Sequence, residues 1–196
     1  MLKENFKVAV PEFPDRKTSI TAYGAVKNVY DDDTGRINAR VINEAIKSMS
    51  SQGGGTVVIP QGVWMTSPIR LLSGVRLYLE RGAVLKFTKN KKDYPLVITN
   101  YEGQECIRTV SPISADGAEN IAISGYGVID GSGDLWRPVK QFKLTERQWD
   151  ALLKKSDYVI ETKEGGIWFP SESAYLGNKA NICLLYTSPS PRDRTR

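Results

Sequence analysis

The sequence predicts an all-β protein built as a parallel β-helix, with a capping helix near its amino-terminal end and a helical insert further along. Short apolar, strand-like segments recur along the chain, and turns that contain glycine separate them. The segments that begin at Val75 (VRLYL) and Ile121 (IAIS) start 46 residues apart, which fits two turns of about 23 residues each. Strands that repeat in this way without helices between them are expected to stack as coils.

The clearest strand signal is the stretch 53–62, GGGTVVIPQG. Three glycines turn the chain into the apolar, β-branched run TVVI, which Pro60 ends. So short a strand is hidden on both faces only when neighbours cover it, and in a β-helix they stack about 4.8 Å apart. We therefore interpret this stretch as the first rung of a solenoid.

The composition predicts a soluble globular protein of one domain, or a large part of one. Hydrophobic residues make up 40% of the 196 residues, and no apolar run approaches the length of a membrane span. The formal net charge is +5, part of which comes from three arginines near the carboxyl end. This mild positive charge is compatible with an acidic polymer, and without a Lys/Arg cluster we expect no nucleic-acid or membrane partner.

Cys106 and Cys183 lie far apart and form no C-x-x-C motif, and the chain contains no histidine that could complete a zinc site. We interpret both cysteines as buried apolar residues and expect no metal and no cofactor. The first residues lack the apolar region of a signal peptide, so an exported protein would need a leader that is missing here.

Before the first rung, three segments are expected. Residues 1–17 carry two prolines among charges and are expected to be irregular, and residues 19–26 (SITAYGAV) form a β-prone run. The acidic stretch 31–35 (DDDTG) lacks the spacing and the closing glutamate of an EF-hand, so a solvated loop is expected.

An amphipathic helix is predicted over residues 39–50, with Asn38 as its N-cap. The apolar side chains at helical spacing are Val41, Ile42, Ala45, Ile46 and Met49. The open end of a β-helix exposes an apolar cross-section and unpaired strand edges. We expect this helix to cap that end.

After the first rung the predicted strands are 69–72, 75–79, 84–87, 97–98, 107–110, 121–123 and 128–129. An antiparallel sandwich would instead need hairpin turns of the Asn-Gly or Asp-Gly kind. Only Asp116-Gly117 and Asp130-Gly131 qualify, and the latter leads into a polar loop.

The insert is predicted at about residues 132–180. Thr145 and Gln148 form a capping box at the start of a helix that places Trp149, Leu152 and Leu153 on one face. Residues 156–179 are expected to be irregular. Residues 181–184 (NICL) look like the first strand of a further coil.

From residue 186 the chain consists mainly of Ser, Thr, Pro and Arg without apolar periodicity, as in a disordered basic tail. The same stretch closely resembles the translation of a sequencing adapter, and we predict that residues 186–196 are not native. Residues 18–185 would then be the first coils of a longer, truncated β-helix.

Three carboxylates lie beside glycine turns, where a carboxylate is either catalytic or part of the turn. Asp130, Glu80 and Asp116 are all interpreted as structural residues of turns. Among the tryptophans, Trp136 and Trp168 lie in predicted irregular segments, where a ring either packs the loop, the favoured interpretation, or stacks on a sugar.

Several of these stretches resemble the amino-terminal part of glycoside hydrolase family 28, the polygalacturonase and rhamnogalacturonan hydrolase group. The resemblance covers most of residues 18–184. The matching residues are 23–26 (YGAV), Asn38, Ile42, 45–46 (AI), 53–62, 68–69 (PI), 77–83 (LYLERGA), and 127–133 (GVIDGSG) with Trp136. The segment 166–172 (GIWFPSE) is similar to an insert of gut-type bacterial members.

The resemblance implies a right-handed, pectin-lyase-like β-helix that cleaves α-1,4 bonds of galacturonate-containing polymers with inversion. In the family the catalytic aspartates come on later coils, in an N-x-D motif and a following D-D pair, with a G-H-G histidine and an R-x-K motif beyond. This set is absent here, so we assign no catalytic, cofactor-binding or metal-binding residue and leave the substrate-binding residues unknown. The resemblance further implies a secreted or periplasmic protein, monomeric at full length, with a pectin-type acidic polysaccharide as partner.

Two alternatives remain open. A non-catalytic polysaccharide-binding β-helix of tailspike type predicts trimers and further coils without paired aspartates. A polysaccharide lyase would need calcium-binding acids and a basic residue that abstracts the C5 proton.

Overall fold

The computed structural model describes residues 10–101, 104–133 and 136–179. The chain folds as two compact units. The first, which we call the coil unit, comprises the residues up to 93 together with 111–131. The second, the insert unit, comprises residues 94–110 and those from 132 onward.

The secondary structure is mainly short strands. In chain order these are β1 (Lys17–Ser19), β2 (Gly55–Ile59), β3 (Gly62–Thr66), β4 (Ile69–Arg70), β5 (Val75–Leu79), β6 (Ala83–Phe87), β7 (Leu96–Tyr101), β8 (Gln104–Thr109), β9 (Ile113–Ser114), β10 (Ala122–Gly125), β11 (Val128–Asp130), β12 (Val139–Lys140), β13 (Val159–Thr162) and β14 (Gly165–Trp168). The α-helices are α1 (Asp32–Ser51), α2 (Glu146–Leu153) and α3 (Glu172–Lys179), and short 3-10 helices cover Ile20–Tyr23, Lys91–Asp93 and Gln141–Lys143.

All described strand pairs of the coil unit are parallel. Strands β2, β5 and β10 are neighbours in one sheet, β3, β6 and β11 in a second, and β4 and β9 in a third. Strand β1 extends the first sheet beyond β2. Successive coils therefore stack strand on strand, and the predicted parallel β-helix is confirmed.

The core of the coil unit consists of alternate residues of these strands. In β5 the side chains of Val75, Leu77 and Leu79 are buried, and the two residues between them are partly exposed. Leu77 lies beside Val57 in register, and both are fully buried. The alternation predicted for VRLYL is confirmed because each strand turns every second side chain into the coil.

The capping helix begins earlier than predicted. The expectation of an N-cap at Asn38 was wrong, because α1 starts at Asp32 and its N-cap is Asp31, whose Oδ1 accepts a hydrogen bond from Thr34 N at 2.6 Å. The solvated loop expected at 31–35 was therefore wrong as well. Consecutive acids stabilise the positive end of a helix, which explains why this acidic stretch forms its first turn.

The apolar stripe of α1 is buried as predicted and packs on the first coil. The helix lies against strands β2, β3 and β4. The buried stripe comprises Val41, Ile42, Ala45, Ile46 and Met49. The expected β-prone run before it was wrong in part: β1 begins at Lys17 and ends at Ser19, and residues 20–23 form a 3-10 helix.

The expected spacing of 23 residues per coil was wrong. Leu77 is 20 residues beyond its partner Val57, but Ile123, the next partner of Leu77, follows 46 residues later. VRLYL and IAIS therefore belong to adjacent coils. The longer coil contains an excursion of the chain, residues 94–110, that belongs to the insert unit.

That excursion is an antiparallel hairpin of β7 and β8, in which Ile98 lies opposite Ile107. The prediction that residues 97–98 and 107–110 are coil strands was therefore wrong. The other predicted strands after the first rung coincide with β4, β5, β6, β10 and β11, with ends shifted by at most two residues.

In the insert unit, the capping box of Thr145 and Gln148 at the start of α2 is confirmed. The irregular structure expected for residues 156–179 was wrong, because this segment contains β13, β14 and α3. Strands β12, β14 and β13 form an antiparallel sheet, and its two-residue β13–β14 turn ends at Gly165, with φ of +103°.

Some predictions fall outside the described residues. These are the strand at 181–184, Cys183 and the tail 186–196, and nothing describes the side chain of Cys106. Within the described ranges, none of the helices is long and apolar enough to cross a membrane.

Candidate functional site

The first candidate carboxylate, Asp130, lies at the end of β11 on the outer side of its sheet. It is in register with Lys86 on β6, and Lys86 Nζ lies 3.0 Å from Asp130 Oδ2. Both side chains are partly exposed. The pair joins two neighbouring strands in register, so its geometry is that of a strand-to-strand link.

The other two candidates are also on the surface of the coil unit. Asp116 Oδ2 lies 3.3 Å from Arg70 Nη2, and the Asp116 side chain is largely exposed. Glu80 is in the turn between β5 and β6, where its backbone N–H donates to Ile59 O at 3.0 Å and its carbonyl accepts from Ala83 N at 3.0 Å. Its role there is that of a turn residue that links two coils.

Asp93, which the sequence did not suggest as a candidate, is more enclosed than these three carboxylates. The side chain of Asp93 is 10% exposed, and Oδ2 accepts hydrogen bonds from Ser67 Oγ at 3.1 Å and from Thr88 Oγ1 at 3.4 Å. Arg36 Nη1 donates to Asp93 Oδ1 at 3.2 Å. This cluster ties the first turn of α1 to the coil, and 57 residues separate the two ends of its ion pair.

Arg36 also contacts a carboxylate on its own helix. Its guanidinium donates to Asp33 Oδ1, and this bond, followed by the bond to Asp93, raises the pKa of Arg36. The bonds from Arg36, Ser67 and Thr88 to Asp93 therefore fasten the capping helix to the coil.

The tryptophans are mainly core residues. Trp64 is 1% exposed and donates from Nε1 to Pro60 O at 2.7 Å. Trp168 is 8% exposed and donates to Ser156 O at 3.2 Å, so it packs the insert and the option that it stacks on a sugar was wrong. Trp149 is 8% exposed, as expected for a core residue of α2.

The remaining stacking candidate, Trp136, is half-buried. Its ring lies edge-on to that of Tyr94, with the centroids 4.6 Å apart. Both rings belong to the insert unit. This contact is the packing of a loop, as the favoured interpretation expected.

No group of three His, Cys, Asp or Glu side chains within the described ranges is arranged to hold a metal ion. Since the whole chain contains no histidine, a metal site could have no imidazole ligand.

No family model matches the chain. The curated relatives include proteins described as polygalacturonases and an iota-carrageenase. A protein from Vitis vinifera described as a probable polygalacturonase is 30% identical over 109 residues, which are 51% of this chain and 22% of that protein. The chain thus spans about a fifth of the length of this curated relative.

Two solved structures share the fold. A hyperthermoactive exopolygalacturonase from Thermotoga maritima is 35% identical, with a TM-score of 0.56 over 64% of this chain and 27% of that chain. A Family 28 exopolygalacturonase from Yersinia enterocolitica is 26% identical, with a TM-score of 0.52 over 79% of this chain and 24% of that chain. Part of this chain is therefore homologous to polygalacturonases of glycoside hydrolase family 28, and it has their right-handed parallel β-helix fold.

Proposed function

We propose that this chain supplies the capped first coils of an inverting glycoside hydrolase that acts on pectin-type polysaccharides, and that its catalytic carboxylates lie on later coils. The homology to polygalacturonases supports the reaction class. Because the chain covers only 22% of the curated relative and about a quarter of the solved ones, most of the corresponding fold lies outside it.

One observation carries the proposal: the last described coil has its inward-facing side chains uncovered. Ile123 and Ile129 are in register with Leu77 and Leu85, which are fully buried. Ile123 is nevertheless 45% exposed and Ile129 is 41% exposed. A further coil stacked on β10 and β11 would bury these rows and pair the strand edges.

The charged residues of the described coils also favour catalytic carboxylates on later coils. Inversion needs two carboxyl groups about 6.5 to 9.5 Å apart, one protonated and one ionised, with room for a water between them. Asp130 and Asp116 are bound to Lys86 and Arg70 instead. On this proposal the described coils have a structural role, and the catalytic acid and base belong to later coils.

The biological setting follows from the proposed activity. A hydrolase of plant cell-wall polymers acts where the polymer is, so we propose a secreted or periplasmic protein whose partner is an acidic polysaccharide. We propose a monomer at full length because later coils would cover the apolar end that is exposed here.

The direct test is to determine the DNA sequence that follows codon 185 of this gene in an intact genome assembly. We expect further coils that carry the N-x-D motif, the D-D pair, the G-H-G histidine and the R-x-K motif. Further coils that lack the paired aspartates would contradict the proposal in favour of a tailspike-type binding protein, and calcium-binding acids with a C5-directed base would favour a lyase.

An enzymatic test uses the 196-residue chain itself. The chain is incubated with polygalacturonate and, separately, with rhamnogalacturonan, and new reducing ends are counted against a polygalacturonase as positive control. We expect no turnover. Reducing ends that increase with protein concentration would refute the placement of the catalytic residues beyond this chain.

A further inference from the structure

The insert unit contains a concave site that the proposed hydrolase function does not use. It is a cleft of about 240 Å³, which we call the insert cleft, and its described lining is Gln141, Leu144, Glu146, Trp149 and Asp150. All of these residues belong to one unit of the fold. The volume suits a single sugar ring rather than a drug-sized ligand or a length of polymer.

Helix α2 supplies most of the polar lining from one face. Glu146, Trp149 and Asp150 are at positions i, i+3 and i+4, which places their side chains on the same side of the helix. The capping box at Thr145 fixes the start of the helix, and Trp149 N donates to Thr145 O at 3.0 Å. The geometry of this face is therefore set by the first turn of α2.

Trp149 forms an apolar wall of the insert cleft and is held firmly. Strand β14 can lie against its ring only because residue 166 is glycine: a Cβ there would be 2.8 Å from Trp149 Cζ2. Trp149 is 8% exposed, and within the described ranges no hydrogen bond is formed by its indole Nε1. The edge of this buried ring, with its N–H, can offer a ligand a polar contact.

Gln141 is positioned by the backbone of the same strand. Its Oε1 accepts a hydrogen bond from Gly166 N at 2.8 Å, which leaves its amide Nε2 group as a donor. Gln141 and the indole N–H are therefore the donors of the site, and the carboxylates of Glu146 and Asp150 are its acceptors.

The charges decide which kind of sugar fits. The described lining contains two carboxylates and neither lysine nor arginine. Ionised carboxylates are strong acceptors for hydroxyl groups, whereas a third carboxylate brought into the same cleft is repelled. A neutral hexose offers several hydroxyl donors and an apolar face, and a uronic acid adds an unpaired negative charge.

We propose that the insert cleft binds a neutral hexose unit of a polysaccharide and discriminates against uronic acids. The insert unit would then recognise neutral branches, a role separate from cleavage of an acidic backbone. The inference does not depend on the proposed hydrolase activity, because it is tested by binding alone.

The test compares two ligands that differ only at C6, methyl β-D-galactopyranoside and methyl β-D-galactopyranosiduronate, at pH 7. Each is titrated into the ¹⁵N-labelled 196-residue chain while the indole N–H signal of Trp149, assigned through Trp149→Phe, is followed by NMR. We expect the galactoside to shift this signal with about millimolar affinity and the uronate to bind about tenfold more weakly.

Two variants distinguish an effect on sugar binding from an effect on folding. Asp150→Asn removes the charge with little change in shape, and we expect it to weaken galactoside binding and to bring the two ligands closer in affinity. Glu161→Gln, at an exposed position on β13 outside the cleft, is the matched control and should leave both affinities unchanged. Equal or tighter binding of the uronate, no shift by either ligand up to about 100 mM, or an unchanged ligand preference in Asp150→Asn would each overturn the proposal.

Discussion

Leu77 and Ile123 occupy the same inward position on neighbouring parallel strands, but Leu77 is fully buried and Ile123 is 45% exposed. The difference arises from stacking order. Leu77 has a strand on each side, β2 and β10, whereas β10 is the last described strand of its sheet. One position of the coil is therefore core in one rung and surface in the next.

This contrast predicts that shortening the two side chains to alanine lowers the stability by unequal amounts. Leu77→Ala should lower the free energy of unfolding by about 2 to 5 kcal/mol, because it removes a buried side chain and leaves a cavity. Ile123→Ala should lower it by about 1 kcal/mol, because almost half of the side chain is already in water. Urea unfolding of both variants measures the difference. Equal losses would indicate that the end of the described coils is covered in solution.

The second stability prediction concerns the side-chain hydrogen bonds of Asn38. Its Oδ1 accepts from Val26 N, and its Nδ2 donates to Val26 O and Met65 O, each at 2.8 Å. Asn38→Ala should reduce stability by about 2 to 3 kcal/mol, because these backbone groups lose their partners. Arg40→Ala, at an exposed position of the same helix, should stay within about 0.5 kcal/mol and serves as the control. A loss no larger than that of the control would refute the structural role of Asn38.

The sequence predicted the coils because their signal is local. In β5 every second residue is apolar, and an alternation of this kind defines which side chains enter the core whatever strand lies beside it. The buried stripe of α1 is predictable for the same reason. The start of α1 was missed because Asn38 has the chemistry of an N-cap, while the acids that begin the helix also suit a loop.

Pairing partners could not be predicted from local pattern. The apolar residues around Ile98 and Ile107 have the period of a strand both in a coil and in a hairpin, so nothing in their spacing shows that they pair with each other. The ion pair of Arg36 and Asp93 joins residues 57 positions apart. The insert cleft likewise depends on Gly166 of β14 lying on Trp149, a contact that exists only after the sheet has formed.

At Gly35 of α1 we expect that replacing a helix glycine with alanine does not stabilise the protein. Gly→Ala in a helix usually stabilises by about 0.5 to 1 kcal/mol. A Cβ at Gly35 would overlap with Cγ2 of Thr88, so Gly35→Ala should instead destabilise by about 1 to 3 kcal/mol. In a Thr88→Ser background, which keeps the hydroxyl and removes that methyl group, most of the loss should disappear. A double-mutant cycle by urea unfolding measures the coupling, and additive effects would contradict the proposed overlap.

The N-cap of α1 predicts a pH dependence in the acid range. Hydrogen bonds from the backbone N–H and the hydroxyl of Thr34 lower the pKa of Asp31 below its ordinary value of 3.8. Since the folded-state pKa is the lower one, the stabilisation by Asp31 is fully present above the unfolded pKa and is lost as the pH falls through the folded pKa. The urea midpoint of the unsubstituted chain should therefore fall as the pH is lowered from about 5 to about 2.

Asp31→Asn isolates this contribution, because asparagine is also a good N-cap but does not titrate. The variant should unfold at a urea midpoint that depends less steeply on pH below about 4 than that of the unsubstituted chain. Asp15→Asn is the control: it removes an exposed carboxylate whose partner is Lys17 on the surface, and it should leave the slope nearly unchanged. If the urea midpoints of the chain and of Asp31→Asn fell equally with pH, the prediction would be contradicted. Such a result would show that the stability of the N-cap does not depend on the charge of Asp31.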